Sequence, residues 1–204
     1  MAVIISGEDK AWETLSCMDP EEVTENACVS FDAGRNIYTL KSFGHSFAIN
    51  TSERQISSLT EGGELFLTKL SYFFRLSALW YLVKAADTSP TGKLVKPSGL
   101  PGGDIFFRGS HVLPLEAVAK KYAQNKDGFT EKGLFMGGKK VNYGDSAIEL
   151  CPFPRIPVTA ILWLADEEWD ARFDLLFDST CLRHLPIDIL WSVAMMSVLI
   201  FMQR

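Results

Sequence analysis

The segment ELFLTKLSYFFRLSALWYLVKAA, residues 64–86, carries apolar side chains around most of a helical circumference. A helix that meets water on only one narrow side is usually the central packing element of its domain. The segment therefore predicts one long central helix, around which the rest of the chain packs.

Patterns typical of β-strands lie on both sides of this helix. Before it, residues 36–40 and 45–49 alternate as the two arms of a hairpin do, with residues 41–44 as the turn. After it, residues 147–150 and 158–165 predict two strands joined by a proline-rich link. Strands and helices alternate without a regular β-α-β order. The pattern therefore predicts an α+β fold with a small, largely antiparallel sheet.

The C-terminal segment predicts a second apolar helix that begins near Pro186. Its run from Ile189 to Met202 is shorter than the roughly 20 residues that span a bilayer, and Ser192 and Ser197 interrupt it. We therefore expect no membrane span, but a buried helix that packs with the central helix against the sheet. Residues 1–204 are expected to form a single domain, because a chain of this length can bury its own core.

Composition and charge argue against several classes of protein. The net charge is −5 and the basic residues are scattered, so no nucleic-acid-binding face is expected. The start of the chain lacks the basic segment and apolar run of a signal peptide. The cysteines Cys17, Cys28, Cys151 and Cys181 form no CxxC pair, so they indicate neither zinc nor an iron–sulfur cluster. Free thiols suit a reducing cytoplasm, where we expect the protein to reside.

Two segments between the central helix and the last strands have weaker patterns. Residues 105–107 predict a short extended strand, and residues 113–122 predict a helix. Residues 125–144 are rich in glycine and lysine and are expected to be exposed. The GGKK sequence within them lacks the GxxxxGK[ST] spacing of a phosphate loop, so a solvated turn is expected there.

Two short stretches resemble each other and suggest a ligand site. In RGSHVLPLE (108–116) and CLRHLPID (181–188), an arginine and a histidine precede a Leu-Pro pair, and an acid follows the proline by two residues. Proline and an acid in the first turn form a common helix start, which explains that part of the pattern. The basic residues lack this explanation, and with free backbone N–H groups they could bind an anion or carboxylate. The candidate ligand-binding residues are Arg108, His111, Arg183 and His184.

Two other functions stay open. Asp178 could orient His184 in a hydrolase or transferase, although no motif such as GxSxG marks a nucleophile and no catalytic residue is assigned. A protein-interaction module is the other alternative, because Trp169 and Phe173 lie in an acidic loop expected to be exposed and the C-terminus is very apolar. The acidic run at residues 166–174 lacks EF-hand spacing, so no metal site is predicted.

Stretches along most of the chain resemble the DUF3786 family, an uncharacterised domain. The resemblance begins at MDPEEV (18–23), strengthens at LWYLVKA (79–85), and is best at PRIP (154–157), LWLADEE (162–168), LFDS (176–179) and HLP (184–186). The family name implies no activity. The resemblance does imply functional roles for Asp178 and His184, which lie in a short loop before a helix, where ligand groups are commonly presented. Asp178 therefore joins Arg108, His111, Arg183 and His184 as a candidate ligand-binding residue.

The resemblance also implies a metabolic setting. Relatives occur mainly in anaerobic bacteria and archaea, and some carry a cysteine-rich iron–sulfur segment like that of corrinoid proteins. This implies a ligand-binding or accessory role beside tetrapyrrole or one-carbon metabolism, with a tetrapyrrole as the suggested cofactor. This sequence lacks the cysteine-rich segment. The expected partner is a small-molecule ligand or another protein, and the oligomeric state stays open.

Overall fold

The computed structural model describes residues 7–107 and 109–203. Its α-helices are α1 (Gly7–Ser16), α2 (Pro20–Ala27), α3 (Glu64–Thr68), α4 (Ser71–Lys84), α5 (Leu115–Tyr122), α6 (Lys126–Phe135) and α7 (Ile187–Met202). Its strands are β1 (Ser30–Asp32), β2 (Ile37–Ser42), β3 (His45–Asn50), β4 (Gln55–Ser58), β5 (Leu94–Val95), β6 (Lys139–Val141), β7 (Ser146–Phe153), β8 (Ile156–Trp163) and β9 (Arg172–Asp178). The predicted α+β fold class is confirmed.

The strands form two antiparallel sheets, where the sequence predicted one. The first sheet has the order β1-β2-β3-β4, and the second has the order β5-β9-β8-β7-β6. The predicted hairpin is β2–β3, and the predicted proline-linked pair is β7–β8, whose register shifts between Leu150 and Phe153. The Phe43 N–H donates to the Cys151 carbonyl at 2.9 Å, which joins the β2–β3 turn to β7.

The predicted central helix is present but divided into α3 and α4. The break falls at Lys69 and Leu70, whose N–H groups both donate to the Leu65 carbonyl. The Leu70 carbonyl then accepts the first hydrogen bonds of α4. The bend places the rings of Phe66 and Phe74 5.5 Å apart in the core. Helix α4 keeps the predicted central position, since it packs against α1, α2, α3 and α7.

The C-terminal helix α7 is buried, as predicted. It packs against α4, α5 and the five-stranded sheet. Its two interrupting serines are buried, and the Ser197 hydroxyl donates to the Val193 carbonyl one turn earlier at 2.8 Å. No helix in the described part of the chain is long and apolar enough to cross a membrane.

Residues 125–144, which were expected to be exposed and for which no helix or strand was predicted, contain α6 and β6. The Asn125 side chain caps α6 by accepting an N–H of its first turn at 2.9 Å, and Phe129 anchors the helix in the core. Gly133 weakens the helical pattern in the sequence, but a Cβ there would stand 2.7 Å from the Ile148 side chain. The same glycine that weakens the helical pattern therefore allows α6 to approach β7 closely.

The strand predicted at residues 105–107 is also wrong. These residues end a 3-10 helix, Gly103–Phe107. The Ile105 N–H donates to the Gly102 carbonyl at 3.3 Å. This N–H group therefore has a local acceptor instead of a partner on a neighbouring strand. The apolar side chains still divide as in a strand, since Phe106 is buried and Phe107 is exposed.

The two sheets approach each other at a pair of glycines. The β2–β3 turn consists of Phe43 and Gly44, whose φ angles are 48° and 78°, as a tight two-residue hairpin turn requires. Gly137, with a φ of 70°, precedes β6 and lies directly against this turn. A Cβ on Gly137 would stand 2.5 Å from the Gly44 Cα, so no side chain fits between them.

We predict that Gly137→Ala lowers the free energy of unfolding by about 3 kcal/mol, because the methyl group adds overpacking to an unfavourable left-handed backbone. Gly92→Ala is the matched control: its φ is also positive, at 75°, but a Cβ there would meet nothing within 4 Å. The control should lose only about 1 kcal/mol. Urea unfolding measures both, and equal losses would contradict the close contact.

Candidate functional site

Asp178 ends β9 as a buried carboxylate with 1% of its surface exposed. Its oxygens accept the Gly92 N–H at 2.6 Å, the Thr180 N–H at 3.0 Å and the Thr180 hydroxyl at 2.7 Å. The Thr91 hydroxyl donates at 3.3 Å. Burial acts to raise the pKa of Asp178, but these hydrogen bonds outweigh burial and hold the pKa below its ordinary value. The carboxylate therefore stays ionised and joins two separate parts of the chain, residues 91–92 and the end of β9, an arrangement that we call the Asp178 junction.

His184 is fully buried just before α7. Its Nδ1 accepts the Ala86 N–H at 3.4 Å, so the ring proton sits on Nε2, which is buried and has no partner among the described residues. Burial, and secondarily the positive charge of Arg155, lower the pKa of His184 to about 4. The histidine is therefore neutral at pH 7 and holds the end of α4 to the start of α7.

Asp178 and His184 are hydrogen-bonded to other groups and not to each other in the described structure. The Asp178 oxygens are occupied by Thr91, Gly92 and Thr180, and the accepting nitrogen of His184 is used by Ala86. A general base also needs access to a substrate proton, but no part of the His184 surface is exposed. Both side chains thus support the backbone around α7.

The remaining predicted ligand residues do not join this pair. Arg183 is exposed, in a 3-10 turn beside the buried His184. His111 is also exposed, and its ring lies 4.8 Å from that of Trp191, whose Nε1–H donates to the His111 carbonyl at 2.6 Å. Arg108 lies outside the described residues. The structure therefore places the two histidines in different surroundings, and neither lines any cavity discussed below.

The two Leu-Pro stretches behave as helix starts. Pro114 and Pro186 occupy the N-cap positions of α5 and α7, and neither helix has a side-chain cap. Glu116 and Asp188 lie in the first turns, where a carboxylate interacts favourably with the positive end of the helix dipole. The helix-start interpretation accounts for the acid and the proline in both.

Cys151 and Cys181 are poor candidates for a nucleophile. Burial raises the pKa of Cys181 to about 11 and also raises that of Cys151. The reactive form of cysteine is the thiolate, so both side chains are protonated and unreactive at neutral pH. Cys151 does line a cavity of about 340 Å³, together with Asp178 and the ion pair of Lys139 and Glu149 at 2.8 Å.

The largest cavity described lies between α5 and the segment that leads into β9, and sequence reasoning missed it. Its volume is about 640 Å³. Four alanines line it: Ala119 on α5, Ala123 directly after that helix, and Ala165 and Ala171 on the facing segment. Their small side chains leave open space between the two backbones. The only sign of this cavity in the sequence is the four-residue spacing of Ala119 and Ala123, which is common in helices.

Charged side chains and two further cavities extend this space. Glu116, Lys120, Asp170 and Arg172 also line the large cavity. Asp170 and Arg172 are shared with a cavity of about 520 Å³ at one end, and Leu115 and Asp174 with a cavity of about 280 Å³ at the other. We call the three together the α5 groove.

One cluster in the groove joins an indole, a guanidinium and a carboxylate. The Arg172 guanidinium lies 4.8 Å from the centre of the Trp163 ring. Asp174 accepts a hydrogen bond from the Trp163 Nε1–H at 2.9 Å and forms an ion pair with Arg172, whose Nε lies 3.1 Å from the same carboxylate. Arg172 is thereby neutralised, and it stabilises the position of the exposed indole through a cation–π contact.

The family assignment agrees with the resemblance in the sequence. A family model described as a domain of unknown function (DUF3786) matches residues 19–199. The chain belongs to the DUF3786 family. The match includes both the Asp178 junction and the α5 groove, whereas α1 precedes it. Comparisons with curated proteins and with solved structures give no match. Within the described part of this DUF3786 domain, no three His, Cys, Asp or Glu side chains are arranged to hold a metal ion.

We predict that the DUF3786 domain loses stability as His184 is forced to take up a proton. The folded-state pKa is about 4, below the ordinary value, so only the unfolded chain is protonated as the pH falls from about 6.5 towards 4. The free energy of unfolding should therefore drop by about 2 kcal/mol between about pH 8 and about pH 5. The stability contributed by Asp178 is lost only at lower pH, because the folded state lowers the pKa of this carboxyl from its ordinary value of 3.8.

His184→Asn is the matched variant for this measurement. The Asn oxygen can still accept the Ala86 N–H, but the side chain does not titrate. Urea unfolding of the variant should show a flatter pH dependence between about pH 8 and about pH 5. An unchanged slope would show that His184 is not the group responsible.

Proposed function

We propose that this protein binds a small organic molecule in the α5 groove. The observation that carries the proposal is the cavity of about 640 Å³, with an alanine-lined interior and charged residues along it. Ligand sites are typically concave spaces of roughly 300–1,000 Å³ with a mainly apolar lining and a few polar groups that orient the ligand. The cavity of about 640 Å³ falls within this range and joins apolar side chains to charged ones that can orient a ligand.

Enzymatic activity has less support than binding. The hydrolase or transferase hypothesis depends on Asp178 and His184, and both are buried and engaged with backbone groups. The groove contains carboxylates, but Asp174 is paired with Arg172. A ligand-binding or accessory role is therefore the function that we put forward.

A role in protein interaction also has narrower support than the sequence suggested. Of the two aromatic residues expected to be exposed, Trp169 is 73% exposed, but Phe173 is buried with 2% exposure. The apolar C-terminal helix is also covered by α4, α5 and the sheet. Trp169 is thus the one feature of that hypothesis that remains on the surface.

The residues of the α5 groove do not fit a metal-centred tetrapyrrole. The iron of haem is held by axial His, Cys, Met or Tyr side chains, and none of these lines the groove within the described residues. The association with tetrapyrrole or corrinoid metabolism therefore stays a prediction from family resemblance. Absorbance spectra of the protein with haemin, cobalamin and cobinamide test it directly, since ligation by protein shifts the spectrum of the bound metal.

We also propose that the protein resides in the cytoplasm and forms a single domain. The four cysteines are free, which supports residence in a reducing cytoplasm. One continuous core cluster extends from α1 to α7, which supports a single domain over residues 1–204.

We predict that Ala123→Leu blocks the groove. Ala123 is half-buried on its wall, so a larger side chain can enter the cavity without disturbing the core. A compound that raises the melting temperature of the protein in a metabolite screen should bind the variant about tenfold more weakly. The matched control is Ala33→Leu, at an exposed turn of the other sheet. Failure of every compound to bind, or equal effects of the two substitutions, would refute the proposal.

A further inference from the structure

The end of the α5 groove near Trp169 has a distinctive lining. Two indole side chains, Trp163 and Trp169, and three carboxylates, Asp145, Asp166 and Asp170, line the cavity of about 520 Å³. We call this part of the groove the indole cleft. Aromatic faces and carboxylates both attract cations, and neither attracts anions.

One half of the indole cleft already holds an organic cation that belongs to the chain. The Arg172 guanidinium lies over the Trp163 ring at 4.8 Å and forms an ion pair with Asp174 at 3.1 Å. An indole face and a carboxylate thus act together on a single planar cation. The arrangement shows which chemistry this part of the surface accommodates.

The other half of the cleft offers the same groups without a cation. Trp169 is 73% exposed, so its ring is accessible. Asp145 accepts the Leu164 N–H at 2.8 Å through Oδ2, and Asp166 accepts the Trp169 N–H at 2.7 Å through Oδ1. These bonds fix both carboxylates in position. Within the described residues, neither they nor Asp170 form an ion pair with a lysine or arginine.

The surrounding charge also favours a cation. Residues 166–174 contain five acidic side chains and one basic side chain, Arg172, which Asp174 neutralises. The field at the cleft is therefore negative. An anionic ligand would have to overcome it, whereas a cationic ligand is attracted from solution.

We infer that the ligand of the α5 groove carries an ammonium or guanidinium group, which binds in the indole cleft between the Trp169 ring and the unpaired carboxylates. The inference rests on the proposed binding function and names its ligand class: a small organic cation whose uncharged body extends towards the alanine-lined part of the groove. Trp169 and Asp170 are the residues that select it.

The test is isothermal titration calorimetry with three probes of different cationic groups: choline, putrescine and agmatine. Choline is compared with 3,3-dimethylbutan-1-ol, which has the same shape without the charge. At least one cation should bind, and choline, if it binds, should do so about tenfold more tightly than its neutral counterpart. Binding should weaken as salt is added, because the cleft attracts the ligand through charge.

Two variants locate the binding. Trp169→Ala and Asp170→Asn should each weaken the affinity for the cation about tenfold. Tyr72→Ala is the matched aromatic control, since Tyr72 is 78% exposed and does not line the groove. Glu167→Gln removes one charge from the same segment without touching the cleft. Tyr72→Ala should bind as the unchanged protein does, and Glu167→Gln should lose much less affinity than Asp170→Asn, because it removes charge from the surrounding field but no group from the cleft.

Two results would overturn the inference while leaving the proposed function intact. One is binding of neutral or anionic compounds that Ala123→Leu weakens, with no binding of the three cations. The other is cation binding that Trp169→Ala and Asp170→Asn leave unchanged. If no compound of any charge binds in the groove, both the inference and the proposed function are wrong.

Discussion

The burial of one ionised carboxylate, Asp178, organises the centre of this structure. A charge taken out of water is strongly unfavourable unless hydrogen bonds replace its hydration. Asp178 obtains them from Thr91 and Gly92, which precede β5, and from Thr180, which follows β9. Because these partners come from segments almost 90 residues apart, the carboxylate is satisfied only when the chain is folded. The junction thus fixes where β9 ends and the approach to α7 begins.

This constraint separates the structural and the accessible parts of the molecule along a single strand. Asp178 ends β9, and Arg172 begins it, so the two lie roughly 20 Å apart. At one end Asp178 and the nearby His184 are enclosed and bonded to backbone. At the other end Arg172 borders the α5 groove with exposed Trp163. The buried carboxylate and histidine thus support the fold, whereas the largest open space described lies beside four alanines and several charged side chains.

Regular patterns in the sequence predicted the frame of the molecule, including α4, α7, the β2–β3 hairpin and the β7–β8 pair. Helix α6 was not predicted because Gly133 lowers the helix propensity of the segment. The missing side chain of Gly133 is what allows α6 to contact Ile148 closely. The groove could not be predicted, since it arises between α5 and a segment some 45 residues later. Nor does the sequence distinguish a buried, hydrogen-bonded carboxylate such as Asp178 from a solvated or a catalytic carboxylate. Membership of the DUF3786 family was predicted correctly from local similarity.

Native-state hydrogen exchange measures whether the Asp178 junction belongs to the folding core. If the junction is part of the folding core, the amides of Ala86, Gly92 and Thr180, which donate to His184 and Asp178, exchange only through global unfolding. Their opening free energies then equal the free energy of unfolding. Exposed amides of residues 167–170 should exchange much faster. Rapid exchange at Gly92 and Thr180 under native conditions would contradict this account and return Asp178 to the list of functional candidates.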